Sequence, residues 1–201
     1  RGVTYDAFIQ VEKRLNEQLR KDKAIKRHLK VHIVFIPVAR EALLASLIEG
    51  KGDIAAANLT ITDKRKQQGV EFTDPLLENV RELLISGPHS PKVESAADLG
   101  GKTIFVRPSS SYFESLMVNA GLLPFIVMDE HKARFWQKIF PKITIHETPV
   151  FREGGVIAWA VRKESPKLLA MLNQQIKAIR GKATGEEILA RYLKQNKFVK
   201  S

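Results

Sequence analysis

Cysteine is absent from this 201-residue sequence. That excludes a disulfide framework, a thiolate nucleophile and a cysteine-held zinc site, and it leaves the redox compartment open. Long apolar runs are missing too. The longest, residues 121–128, falls far short of the roughly 20 residues that a helix needs to cross a bilayer, so no transmembrane segment is expected. Aromatic residues make up only 7% and are not interleaved with the basic runs, and no glycine-aromatic RNA-binding signature is present. The formal charge of +11 is scattered along helix-like segments, through Lys13, Arg14, Arg20, Lys21, Lys23, Lys26 and Arg27 and again over residues 163–200. It is read as a solvated basic surface, with no nucleic-acid partner. The sequence begins at Arg1 without a methionine and shows no signal-peptide pattern, so a mature or trimmed product is expected.

Catalytic signatures are equally sparse. His28, His32, His89, His131 and His146 form no HExxH-type pair, and there is neither a GxSxG elbow nor a phosphate-binding glycine loop. Asp129, Glu130 and His131 are adjacent, and neighbours in sequence do not share a face of a helix or strand. His131 is read as a surface residue or one behind the site. No catalytic residue, metal or cofactor is expected.

What the sequence has is a core and an order. Hydrophobic residues reach 44%, enough for one large domain or two small lobes. Residues 5–19 carry a helical apolar stripe, 31–37 (VHIVFIP) read as a buried strand, 41–49 as a short helix stopped by Gly50, and 53–57 as the next strand. Strand, helix, strand implies a parallel sheet with right-handed crossovers. Residues 81–86 form another strand, followed by a loop with two prolines that suits a lobe boundary. Beyond it come a helical turn at 95–99, strands at 103–107, 125–128, 143–146 and 155–162, a helix starting near Ser109, and helices at 166–179 and 186–193. The reading is an α/β fold of two lobes with a ligand cleft between them: residues 1–84 with 158–201, and residues 85–157.

In open α/β sheets ligands lie at the carboxyl ends of strands. Three strands here end in polar groups: one in Asn58 and Thr60, one in Arg107 and the serines after it, one in Asp129. Arg65 offers a planar, permanently charged fork for a carboxylate. Ser109 and Ser110 at a helix start offer donors to an anion, and Asp129 a counterpart for an ammonium group. Together they describe a receptor for an amino acid or short peptide. Singly, Thr62 and Ser109 read as helix caps, Arg65 as a surface charge and Asp129 as a turn residue.

The stretches EGKGDIAAANLTITDKRKQQGVEFTDP, DLGGKTIFVRPSSSYFESL and AGLLPFIVMDE resemble the type II periplasmic solute-binding proteins of the amino-acid-binding family. The resemblance implies that Arg65 holds the ligand's α-carboxylate, that Asn58 and Thr60 contact the ligand from the first lobe, that Ser109 and Ser110 donate from the second, and that Asp129 holds the α-ammonium. VRPSSSYFESL, FREGGVIAWAVRK and the ending ILARYLKQNKFVKS resemble, more narrowly, the sensor module of the membrane-bound lytic transglycosylase F family, where such a module precedes a muramidase-like domain. That family carries a strand and an aromatic loop ahead of the segment matching residues 2–8, and a further strand and helix between Leu116 and Met117, so the second lobe is expected to be incomplete at 116–117.

The expected function is a regulatory, ligand-sensing module for an amino acid or peptidoglycan-derived peptide, periplasmic and linked to a catalytic domain at the outer membrane, the chain itself cleaving no glycan. The alternative is a free-standing amino-acid-binding receptor of an ABC transporter. An enzymatic use of the fold, dehydrating a cyclic substrate, has only Asp129 as its acid and ranks behind both.

Overall fold

The computed structural model describes residues 3–87, 90–104, 125–139 and 141–180. They divide into two compact units, one of Arg1–Ala57, Gln68–Asp74 and Trp159–Ser201, the other of Asn58–Gln67 and Pro75–Ala158.

In the first unit, helix α1 (Val3–Lys21) forms over the expected stripe, with Asp6 in its first turn and Arg20 and Lys21 in its last, each opposite in sign to the adjacent end of the helix dipole. Phe8 and Val11 are buried, and Phe8 packs on Trp159 with ring centroids 4.4 Å apart. Helix α2 (Leu43–Ile48) stops before Gly50, whose φ of +76° is a left-handed conformation that glycine adopts without strain. Strand β1 (Ile54–Thr60) begins here, and β2 (Val70–Phe72) pairs antiparallel with the last residues of β5 (Thr144–Arg162), Val70 opposite Arg162. Helix α5 (Pro166–Arg180) starts on a proline, whose missing N–H costs nothing in the first turn, and buries Leu172 and Ile176.

Residues 31–37 are not the buried strand that their β-branched content suggests. Val31 donates to Asn16 Oδ1 and accepts from Asn16 Nδ2, both at 2.8 Å, and Ile33 N–H donates to Glu12 Oε2 at 2.8 Å. Side chains of α1 take the hydrogen bonds that a neighbouring strand would have made, and Val34 is left 77% exposed. β-Propensity favours an extended backbone but supplies no partner for it. With this segment outside the sheet, the strand–helix–strand unit that implied parallel pairing loses its first strand. The ladders that β2 forms with β5, and that residues 77–86 form with residues 126–129 and with β5, are all antiparallel.

The sheet has the strand order β1-β5-β3-β4 with β2 paired to β5, and in the second unit β3 (Leu77–Ser86) lies between β4 (Ile126–Asp129) and β5. The strands expected at 143–146 and 155–162 are one continuous strand. The polar stretch between them stays on the ladder because β3 offers partners to it, through Leu83 opposite Val150 and Glu82 opposite Arg152, while register shifts absorb the extra residues. Gly155 sits opposite Val80 so closely that a Cβ there would lie 2.8 Å from the Val80 carbonyl oxygen. Leu84, Val93, Leu99, Ile104, Phe125 and Val127 form the core. Short helix α3 (Asp63–Lys66) follows β1, and α4 (Glu130–Ile139), not anticipated from the sequence, follows β4 directly. The turn at 95–99 forms as expected, with Ser95 and Asp98 capping it reciprocally. Most of the strand expected at 103–107, the helix start at Ser109–Ser111, the gap at 116–117 and the helix at 186–193 lie outside the described residues.

A four-member charge ring joins β3, α4 and β5. Arg81 reaches Glu130 at 2.8 and 2.9 Å and Glu147 at 3.0 Å, while Arg134 reaches Glu130 and Glu147, each at 2.8 Å. The Arg81 hydrogen bonds are the main cause that lowers the Glu130 carboxyl to about 2, and Arg134 does most to lower Glu147. Both folded values lie below the ordinary 4.5. The ring therefore stabilises the fold fully above that value, and its contribution is lost as pH falls from about 4.5 toward about 2. Melting temperatures measured across this window should fall with acid, and Arg81→Ala should flatten that slope. An unchanged slope in the variant would remove the ring from the explanation.

Candidate functional site

The end of β1 and the turn after it are built locally. Asn58 adopts φ of +48°, a left-handed conformation that asparagine tolerates better than most residues, so β1 bends within its own length. Thr62 then caps α3, its Oγ1 accepting from the Arg65 N–H at 3.3 Å. This places the Arg65 side chain back against β1, where Nη1 donates to the Thr60 carbonyl at 2.6 Å. Arg65 is only 8% exposed. The surface-charge reading of Arg65 fails, while the cap reading of Thr62 holds beside any other role.

Beside this turn lies a cavity of about 630 Å³, lined on one side by residues 60–64 and Lys66 and on the other by residues 152–156 of β5. The Ile61 N–H donates to the Val156 carbonyl at 2.8 Å and holds the two sides together. Of the sequence-predicted residues, Thr60 lines this cavity, and Arg65 is not among the lining residues but bonds two of them, Thr60 and Thr62. Asn58 and Asp129 are not among its lining residues, and Ser109 and Ser110 lie outside the described residues.

Asp129 ends β4 as expected and is 2% exposed, with the Lys132 ammonium against its Oδ2. It stands directly opposite Glu82 on β3, itself 1% exposed, and Glu82 stands opposite Arg152 on β5. Opposed residues of an antiparallel ladder project from one face, so these three charges form a row across the sheet. Leu84 and Val127, two residues along on the same strands, are opposed on that face within the core. Arg152 Nη1 lies 3.7 Å from Glu82 Oε1 and is the member of the row that also lines the cavity.

Arg152, Glu82 and Lys132 were missed in the sequence. The signal for Glu82 is parity: in RELLIS it shares a face with Leu84, so it points inward. The signal for Arg152 is a charged pair followed at once by two glycines inside an otherwise apolar strand. His131 is more enclosed than a surface reading allows. Both ring nitrogens are buried without a hydrogen bond to the described residues, and desolvation lowers its pKa against the pull of Asp129. Ser86 Oγ and His146 Nε2 lie 2.7 Å apart, with Nδ1 3.3 Å from the Val93 carbonyl. Ser86 is buried, so this contact pins a loop to the sheet rather than presenting a nucleophile.

The chain belongs to the bacterial extracellular solute-binding proteins, family 3, whose family model matches residues 22–195. It is 29% identical over 195 residues to the membrane-bound lytic murein transglycosylase F of Desulfosudis oleivorans, an alignment covering 85% of this chain but only 42% of that protein. In fold it is similar to a mutant of ArgBP from T. maritima, with a TM-score of 0.77, 20% identity and coverage of 97% of this chain and 86% of that one. It is likewise similar to the amino acid ABC transporter substrate-binding protein AbpA from Streptococcus pneumoniae bound to L-arginine, with a TM-score of 0.73, 18% identity and coverage of 94% and 84%. The fold is thus that of the periplasmic amino-acid-binding proteins, as the sequence motifs implied.

Proposed function

We propose that this chain is a ligand-sensing module that holds an amino acid or a peptidoglycan-derived peptide and regulates a linked lytic transglycosylase domain, in the periplasm and at the outer membrane. The observation that carries the reading is the pairing of two likenesses. Nearly all of the chain matches a binding-protein family, while more than half of its transglycosylase relative lies outside the alignment. In this reading the chain cleaves no glycan itself. Its lobes are residues 1–84 with 158–201 and residues 85–157, and Asn58, Thr60, Arg65, Ser109, Ser110 and Asp129 contact the ligand. Arg65 takes the α-carboxylate, a role favoured by its fixed position behind Thr60. A group fixed before the ligand arrives loses little conformational freedom on binding.

The second reading, a free-standing receptor of an ABC transporter, is favoured by the transporter binding proteins among the similar folds. Two measurements separate these readings. The first is the gene beyond Ser201: a muramidase-like domain supports the sensor, a stop codon the receptor. The second is calorimetric titration with amino acids and soluble peptidoglycan peptides, run beside a glycan-turnover assay. Binding without turnover is expected, and turnover of purified peptidoglycan by this chain alone would overturn the non-catalytic reading.

A further inference from the structure

We propose that the cavity beside Thr60 is an anion subsite anchored by Arg152, which selects a ligand carrying a carboxylate beyond its α-carboxylate: an acidic amino acid or acidic peptide. This rests on the reading of the chain as an amino-acid or peptide receptor, and it names the ligand class of that receptor.

Three observations converge on it. The first is charge. The cavity lining carries Lys64, Lys66 and Arg152 against Asp63 and Glu153, three cations to two anions. The second is the state of Arg152. Its side chain is 30% exposed, yet Nη1 is buried and makes no hydrogen bond to the described residues. Its ion pair with Glu82 spans 3.7 Å, beyond hydrogen-bond length. A guanidinium has five N–H donors in a fork, so it can neutralise Glu82 from one side and still take a carboxylate from the cavity. The third is access. Gly154, at φ of +65°, and Gly155 line the cavity without side chains, and a Cβ built on Gly154 meets nothing within 4 Å. A ligand can therefore approach the backbone beside Arg152 closely.

Thr60 belongs both to this cavity and to the Arg65 contact. A ligand whose α-carboxylate reaches Arg65 therefore has the start of the Arg152 subsite within one residue of it. A neutral amide in this subsite would gain a weaker bond to the fork, and a cationic side chain would meet three cations against two anions, a net repulsion. Arginine, the ligand named for the similar S. pneumoniae protein, is the poor choice here. Lys64 and Lys66 are exposed and contribute field more than contact, so the discrimination rests on Arg152.

The test uses isosteric pairs that differ by one charge: L-glutamate against L-glutamine, and alanyl-glutamate against alanyl-glutamine, with L-arginine as the cationic probe. Calorimetric titration of the chain should show the acid of at least one pair bound tenfold or more tighter than its amide, with arginine weakest. Arg152→Gln should erase the difference between acid and amide, the acid losing far more affinity than the amide. Because that variant takes the Arg152 charge away from buried Glu82, the double variant Arg152→Gln with Glu82→Gln serves if the single one does not fold. An acid preference surviving in either folded variant overturns the role of Arg152. Equal binding of acid and amide by the wild type overturns the inference and leaves the receptor reading intact, whereas no binding of any probe overturns both.

Discussion

Replacing Arg65 with alanine is expected to weaken ligand binding by at least tenfold. A charge-assisted, bidentate pair with a carboxylate contributes on the order of 1.5–3 kcal/mol, and about 1.4 kcal/mol corresponds to one decade of affinity. Arg65→Lys should recover only part, because a point charge cannot reproduce the planar fork. Read as a surface charge, Arg65 would matter little to folding. The structure changes that expectation: the guanidinium is buried and donates to the Thr60 carbonyl at 2.6 Å, so the substitution removes that buried hydrogen bond as well. A stability loss of roughly 0.5–1.5 kcal/mol, that of one hydrogen bond, should accompany the affinity loss. Calorimetry on the wild type and both variants, with melting curves run alongside, separates the two effects. If Arg65→Ala binds as well as a wild type that binds well, the residue serves only to begin α3.

Trp159→Ala should be the most destabilising single change in the first unit, at about 3–5 kcal/mol. The indole is 3% exposed and packs at 4.4 Å on Phe8, so truncation opens a cavity and removes an aromatic pair at once. The backbone bonds at 159 survive, since its N–H reaches Thr73 Oγ1 and its carbonyl accepts from the Thr73 N–H at 3.0 Å. The loss should therefore track volume, with Trp159→Phe recovering a large part of it. Urea unfolding of the two variants measures this. A loss under about 1 kcal/mol for alanine would mean that α1 does not depend on this contact.

The elements that were legible in the sequence are those whose pattern and partner coincide. The stripe of α1 names the face that Phe8 and Val11 bury, and the apolar run 81–86 belongs to a strand with neighbours on both sides. Residues 31–37 carry an equally strong pattern, but the hydrogen bonds come from Asn16 and Glu12, and no local pattern encodes a partner 15 or 21 residues away. The site divides the same way. The cap by Thr62 follows from spacing, and Asp129 from a strand end. Glu82 and Arg152 meet only because β3 and β5 pair in one particular register, which is a property of the assembled sheet. The unbroken β5 was hidden for the same reason, since HETPVFREGG resembles a loop until the strand beside it is known.

The docking of residues 31–33 on α1 moves the burden of selection from one set of side chains to another. In an ordinary buried strand, apolar side chains are what mutation must preserve. Here the extended backbone is held by one amide and one carboxylate on a helix, and Val34 and Ile36 face outward. Drift at 34 and 36 therefore leaves the local architecture intact, while a change at Asn16, a polar residue that a composition-based scan would treat as replaceable surface, removes both hydrogen bonds that hold Val31.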